Sequence, residues 1–208
     1  MSTVMLVRHG ETAYNAEGIF RGRADVPLNE RGEQQAGSLA GYLQTRRVDV
    51  VYSSPLKRAL TTAEVIAARG GLQAQVAPEL IDLDCGEWQG LSRQKVEERY
   101  GDLYAQWEES PHLLRLPGGE SLQEVRARAL EFVRGVAMAH EGHFVFVSHR
   151  VVNKVLICGL LGLDDSHFWN IRLDVCGVTT FSYKRGRFVL IAHNDTSFLG
   201  TASALADF

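Results

Sequence analysis

Apolar residues recur along the chain in two rhythms. Residues 4–7, 48–53 and 144–147 contain short apolar runs with β-branched members, the pattern of strands buried on both faces. Between these runs the apolar positions follow a helical period. Leu28, Ala36, Leu39, Ala40 and Leu43 mark one face of a helix that Asn29 caps and that runs to about Arg46. Ser54-Pro55 opens a second helix through Ala59, Ala63 and Ile66, since proline suits a first helical turn, and Gly70-Gly71 ends it. Residues 82–90 form a loop rich in acids and glycine, residues 92–109 a polar helix, and Pro117-Gly118-Gly119 a turn. Ser121 with Glu124 makes a capping box for a helix ending near His140. A further helix covers residues 151–161, and residues 178–183 and 188–192 read as a closing pair of strands.

Strands alternating with long helices predict an α/β fold, a three-layer α/β/α sandwich around a mostly parallel sheet. No repeat, low-complexity tract or linker interrupts the pattern. Residues 1–208 are therefore expected to form one domain, with residues 86–120 as a helical excursion over the site and the last eight residues as a loose tail. A length of 208 residues with 45% hydrophobic content is enough for one full core.

The net charge of −3 shows no global basic excess, so neither nucleic acid nor a membrane surface is an expected partner, and any anion site must be local. The three cysteines, Cys85, Cys158 and Cys176, are odd in number and widely spaced. That argues for reduced thiols rather than a disulfide framework or a zinc cluster. The apolar run before Arg8 is short and lacks a basic leader, and no stretch approaches the ~18 apolar residues of a membrane helix, so a cytoplasmic location is expected.

The chemistry gathers at strand ends. His9 follows the first apolar run through Arg8, and His149 follows the run 144–147 through Ser148. In open α/β sheets ligands bind beyond the carboxyl ends of strands, so both imidazoles belong to one rim. The strand at 48–53 leads into Ser54-Pro55-Leu56-Lys57-Arg58 and brings a guanidinium to the same rim, where Arg8 supplies another. Such a cluster would repel itself unless a dianion sits within it, and arginine forks match phosphate geometry.

Leu6-Val7-Arg8-His9-Gly10-Glu11-Thr12 resembles the signature of the histidine phosphatase superfamily, in its phosphoglycerate-mutase-like branch. The resemblance continues through Asn15, Phe20-Arg21-Gly22, Pro27-Leu28-Asn29-Glu30-Arg31-Gly32, Tyr52-Ser53-Ser54-Pro55-Leu56-Lys57-Arg58-Ala59, Gly86-Glu87-Trp88-Gln89-Gly90, Gly118-Gly119-Glu120-Ser121 and Val147-Ser148-His149, and so spans nearly the whole chain. It implies that His9 is the nucleophile that becomes phosphohistidine and that Arg8, Arg58 and His149 bind the phosphoryl oxygens. Asn15 matches a polar phosphate contact of the family, and Arg21, Gly22 and Arg150 are further candidate substrate or phosphate contacts. Glu11 reads equally as a pocket hydrogen-bond acceptor and as a solvated loop carboxylate.

The leaving alkoxide needs a proton. The family places a glutamate four residues before the glycine of its Gly-x-Trp motif, and counting back from Gly86 reaches Asp82, one methylene shorter. Asp82 is the first choice for the general acid, with Asp84 and Glu87 as runners-up in the same loop. Trp88 reads as a packing anchor for that loop.

The mutases of the superfamily generally carry an insertion before the second histidine and an extended tail, for which this chain lacks room. A phosphatase acting on a small phosphomonoester is therefore favoured, with phosphoglycerate mutase as the alternative. An α-ribazole phosphate phosphatase and a non-catalytic phospho-ligand-binding protein also remain open. Ser110-Pro111-His112, Gly118-Gly119-Glu120-Ser121, and Leu160-Leu161-Gly162-Leu163 followed by His167-Phe168-Trp169 look most like the metal-independent phosphoserine phosphatases. Arg21, where many relatives carry glutamine, and Arg150, where a small residue is common, depart from the pattern. Their charge suits a substrate with a second negative group such as a carboxylate. His112 is a candidate lid contact. The remaining histidines show no metal-ligand spacing, so neither metal nor cofactor is expected. A homodimer is compatible with the sequence.

Overall fold

The computed structural model describes residues 1–202, so the expected tail lies mostly outside the described residues. Six strands, β1 (Ser2–Arg8), β2 (Val50–Ser53), β3 (Ala74–Val76), β4 (Gly142–Ser148), β5 (Val178–Lys184) and β6 (Arg187–Asp195), form one sheet. Their order is β3-β2-β4-β1-β5-β6. The first four in that order run parallel. β5 and β6 complete the sheet in antiparallel fashion.

Alternate residues of the central strands feed two separate cores. Val4 and Leu6 of β1, with Phe144 and Phe146 of β4, pack under the helices α5 (Leu122–Ala139) and α6 (Arg150–Leu161). Met5 and Val7, with Val145 and Val147, pack under α2 (Glu30–Gln44) and α3 (Lys57–Arg69). Both faces are covered, which is why these strands read as unbroken apolar runs rather than as alternating patterns. Each such side chain contributes about 1.5–3 kcal/mol on burial. The result is the three-layer α/β/α sandwich.

Several boundaries differ from the sequence reading, each for a local reason. β2 begins at Val50 rather than Val48, α2 ends at Gln44 rather than near Arg46, and α6 starts at Arg150. The second helix, α3, begins at Lys57 and not at Ser54-Pro55. Ser54 Oγ accepts the Leu56 N–H at 3.3 Å and turns the chain first, while Asp25 Oδ1 accepts the Lys57 N–H at 2.7 Å and stands in for a cap. Two short elements were not foreseen. β3 is a three-residue edge with no apolar period. The five-residue helix α1 (Ala13–Glu17) is held by a reciprocal Thr12–Asn15 cap, in which asparagine replaces the usual glutamate or glutamine.

The excursion over residues 86–120 contains a 3-10 turn at Gly86–Trp88, the helix α4 (Arg93–Glu109), kinked at Tyr100, and a second 3-10 turn at Pro111–Leu113. It is pinned by aromatic contacts. Trp88 is fully buried, 5.1 Å from the Phe20 ring, and Trp107 lies 5.7 Å from both Phe168 and Trp169. Among the described residues no helix is long and apolar enough to cross a membrane.

Candidate active site

Strand register brings the chemistry together. Val7 pairs with Val147, and Val147 in turn with Ser53, so β1, β4 and β2 end level. The backbone stays tied for one residue more. The His9 N–H bonds to Ser148 O and the Ser54 N–H to Val147 O, each at 3.0 Å. Arg8, His9, Arg58 and His149 meet on this rim, each with no solvent exposure.

His9 is fixed by its own loop. Nδ1 stands 2.6 Å from the Gly10 carbonyl oxygen, which can only accept, so Nδ1 carries the proton and Nε2 keeps its lone pair. Nε2 is buried and has no hydrogen-bond partner among the described residues. Burial first, then the Arg58 guanidinium and His149, hold the imidazole well below its usual pKa, so it is neutral at neutral pH. His149 is held low in the same way, by burial and then Arg58. Its Nδ1 accepts from Arg58 Nε at 3.2 Å, which leaves Nε2–H to donate to Ser54 Oγ at 2.7 Å. The two rings lie 5.2 Å apart.

Arg58 organises one side of the site. Nη1 donates to Ala24 O at 2.7 Å, and Nη2 donates to Gly22 O at 2.9 Å and to Asp82 Oδ2 at 3.0 Å. The Arg21-Gly22 loop and the acidic loop are thereby drawn to the same guanidinium. Gly22 participates through its carbonyl. Asp82 is 7% exposed, and its Oδ2 also lies 3.6 Å from His149 Nδ1. The other acids of the loop point elsewhere. Asp84 accepts from Gly86 N at 2.9 Å and pairs with Arg23 at 3.3 Å. Glu87 accepts from the Tyr100 hydroxyl at 2.8 Å. Of the three candidate acids, the structure brings only Asp82 to the histidines and Arg58.

Glu11 resolves into neither of its two readings. It is buried, and it accepts from Asn29 Nδ2 at 2.9 Å and faces Arg31 at 3.7 Å, so it ties the His9 loop to α2. Asn15 is buried too, and its Oδ1 accepts from the Thr12 N–H at 3.0 Å, which gives it a capping role in the same loop.

Close backbone approach explains one glycine of the motif run. A Cβ on Gly32 would stand 2.1 Å from the Glu11 carbonyl oxygen, so α2 can press against the His9 loop only because position 32 lacks a side chain. Gly32→Ala is expected to cost about 1–3 kcal/mol, since the backbone must shift to accept the methyl. A urea denaturation series checks this, and an unchanged midpoint would show that the loop gives way freely.

Ser54, Thr62 and the segment 173–177 were missed by sequence reasoning. Thr62 Oγ1 accepts from the Gly10 N–H at 3.3 Å and donates to Arg58 O at 2.8 Å. Arg8 Nη1 donates to Leu173 O at 2.7 Å. For Ser54 the only signal was its neighbourhood to Arg58; a carbonyl such as that of Leu173 leaves no signal in sequence.

Beyond the histidines the rim opens into a cleft walled by Tyr14, Phe20, Arg21, Asp82, Trp107 and Arg150. Arg93 and Glu108 border it from α4. The Arg150 guanidinium lies 5.6 Å from the Trp169 ring centre, and the Trp169 indole N–H donates to Trp107 O at 2.9 Å. Arg150 thus sits on the outer wall rather than among the inner cations. His112 is not among the residues that line this cleft. Among the described residues no three His, Cys, Asp or Glu side chains gather as metal ligands.

Similarity to known proteins extends over nearly the whole chain. Phosphoserine phosphatase 1 of Hydrogenobacter thermophilus is 37% identical over 201 residues, covering 96% of this chain and 95% of that protein. The solved structure of Bacillus stearothermophilus YhfR superposes with a TM-score of 0.90 at 29% identity, covering 96% of this chain and 100% of that one. A mutant phosphoserine phosphatase of Entamoeba histolytica, solved in complex with phosphoserine, gives a TM-score of 0.86 at 27% identity, covering 96% of this chain and 100% of that one. The sequence profile of the histidine phosphatase superfamily (branch 1) matches residues 4–196, and the chain belongs to that family.

Proposed function

We propose that this chain, as one domain of residues 1–208, hydrolyses small carboxylate-bearing phosphomonoesters of the phosphoserine class through a phosphohistidine at His9. Family membership and identity to phosphoserine phosphatase make it a phosphoric monoester hydrolase acting on small phosphorylated metabolites. The observation that carries the mechanistic reading is His9 Nε2, a buried lone pair with no hydrogen-bond partner among the described residues, beside two buried arginines.

The chemistry proceeds in two transfers. The phosphorus leaves the ester oxygen for His9 Nε2, while Arg8, Arg58 and His149 meet the charge on its equatorial oxygens. Phosphoryl transfer asks mainly for positioning and charge neutralisation, which fixed guanidiniums supply. Asp82 gives its proton to the departing alkoxide. A water then attacks the phosphohistidine, Asp82 takes back a proton, and His9 returns to its neutral state as phosphate departs.

Arg21 and Arg150 line the same cleft as Asp82, and on this reading a carboxylate of the substrate lies against them. Phosphoethanolamine is phosphoserine without that carboxylate, which gives a direct test. In EDTA, Arg150→Ala should lower kcat/KM for phosphoserine about tenfold or more, as expected for a lost charged hydrogen bond, and leave phosphoethanolamine nearly unchanged. Equal losses on both esters would remove Arg150 from substrate recognition. Activity that disappears in EDTA and returns with Mg²⁺ would contradict the metal-free transfer. Conversion of 3-phosphoglycerate to its isomer without release of phosphate would favour a mutase.

A further inference from the structure

Arg8 is fully buried, and its position is set from outside the phosphate pocket. Its Nη1 donates to Leu173 O at 2.7 Å and its backbone N–H to Gly177 O at 3.2 Å, while His9 O accepts from the Cys176 N–H at 3.3 Å. The segment 173–177 therefore grips both residues of the Arg8-His9 pair. It does so in an unusual conformation. Cys176 has φ 54°, in the left-handed region that non-glycine residues rarely occupy.

The segment is held in turn by one side chain from β6. Asn194 Oδ1 accepts the Asp174 N–H at 2.9 Å, and Asn194 Nδ2 donates to Asp174 Oδ2 at 2.7 Å. The same amide oxygen would stand 2.2 Å from a Cβ on Gly177, so the fit leaves no room on that side. Asn194 itself has φ 50°, and its N–H donates to Thr179 Oγ1 at 3.2 Å. The β5–β6 ladder is irregular at this point, with a register shift between Val178 and Thr180. Bulges of this kind re-aim a side chain beside active sites, and strained backbone persists only where its surroundings over-determine it. Two left-handed residues and an interrupted ladder converge on one amide, whose bonds end at the loop that carries the Leu173 carbonyl.

We propose that Asn194 is a positioning residue for Arg8, acting through the loop 173–177 to fix the guanidinium that receives the phosphoryl group. The inference rests on the reading of Arg8 as a phosphoryl-binding residue. Asn194 touches no reacting atom. Its contribution lies in the direction in which Leu173 O points and hence in where Arg8 Nη1 is anchored.

A double-mutant cycle tests this, read as the inhibition constant of inorganic phosphate and as kcat on p-nitrophenyl phosphate, with the melting temperature of each variant recorded. Asn194→Ala should weaken phosphate inhibition about tenfold and lower kcat by a similar factor at temperatures well below melting. In an Arg8→Ala background the same substitution should change either quantity by less than about twofold, because the group it positions is gone. Full additivity of the two losses would overturn the inference. So would an Asn194→Ala protein that melts earlier but binds phosphate and turns over as before. If Asn194→Ala does not fold, Asn194→Asp replaces it in the cycle. That change keeps the shape and the acceptor for Asp174 N–H but sets a carboxylate against Asp174 Oδ2, and the same two outcomes decide. Should Arg8→Ala alone leave phosphate binding and turnover intact, the reading of Arg8 falls and this inference falls with it, a result distinct from additivity.

Discussion

His9→Ala is expected to lower kcat on any phosphomonoester by about 10⁴-fold or more, a loss of the size seen when a covalent nucleophile is removed. Asp82 could assist a water, but the other imidazole of the rim, His149, has both ring nitrogens engaged, by Arg58 and by Ser54. Inorganic phosphate should still bind, since the two arginines and His149 remain. The wild-type pH profile belongs to the same argument. Burial and Arg58 depress the His9 pKa, so the imidazole is already unprotonated well below pH 6.5. Protonation of His9 in the free enzyme would then limit kcat/KM only on the far acid side, and an acid limb centred at or above pH 6.5 would show that His9 is less shielded than the structure shows. Steady-state kinetics of the variant, with phosphate inhibition measured alongside, decide between loss of chemistry and loss of fold.

Asp82→Asn should produce a loss that depends on the leaving group. Serine departs as a poor alkoxide and needs a proton, whereas nitrophenolate leaves without one. General acid catalysis is typically worth ~10²–10⁴-fold, so phosphoserine turnover should fall by that order while p-nitrophenyl phosphate falls far less. Asp82 lies 3.0 Å from Arg58 Nη2 and 3.6 Å from His149 Nδ1, which is what makes it the proposed donor. Asp84→Asn is the control. Asp84 bonds to Gly86 N and Arg23, so its loss should loosen the loop and lower both substrates together. Leaving-group dependence in Asp84→Asn and not in Asp82→Asn would mean that the wrong carboxylate has been chosen.

Much of this site was legible in sequence because its parts are strand ends. An apolar run that leads into a histidine states both the strand and the rim; two such runs converged on one edge, and a third run delivers Arg58 to it. The choice of Asp82 over Asp84 and Glu87 rested on spacing from Gly86; in the structure Asp82 faces Arg58 and His149, whereas Asp84 and Glu87 face Arg23 and Tyr100. Asn15 and Glu11 were harder to read. Their polar atoms are used within the loop, by Thr12 and by Asn29, and a sequence does not say whether a side chain turns inward to its own backbone or outward to a ligand. The start of α3 was misplaced because Ser54 and Asp25, distant in sequence, together replace the cap that Pro55 seemed to announce. The dependence of Arg8 on Leu173 and Asn194 was not legible at all. It runs through a carbonyl and a left-handed residue, and neither leaves a pattern in residue types.

The central claim is the covalent step. Wild-type protein mixed with phosphoserine and quenched in alkali within its first turnovers should carry phosphate that survives base, is lost in acid, and maps by mass spectrometry to the peptide containing His9. Phosphate found on serine or aspartate would contradict the account. So would phosphate release in a single transfer with inverted stereochemistry at phosphorus.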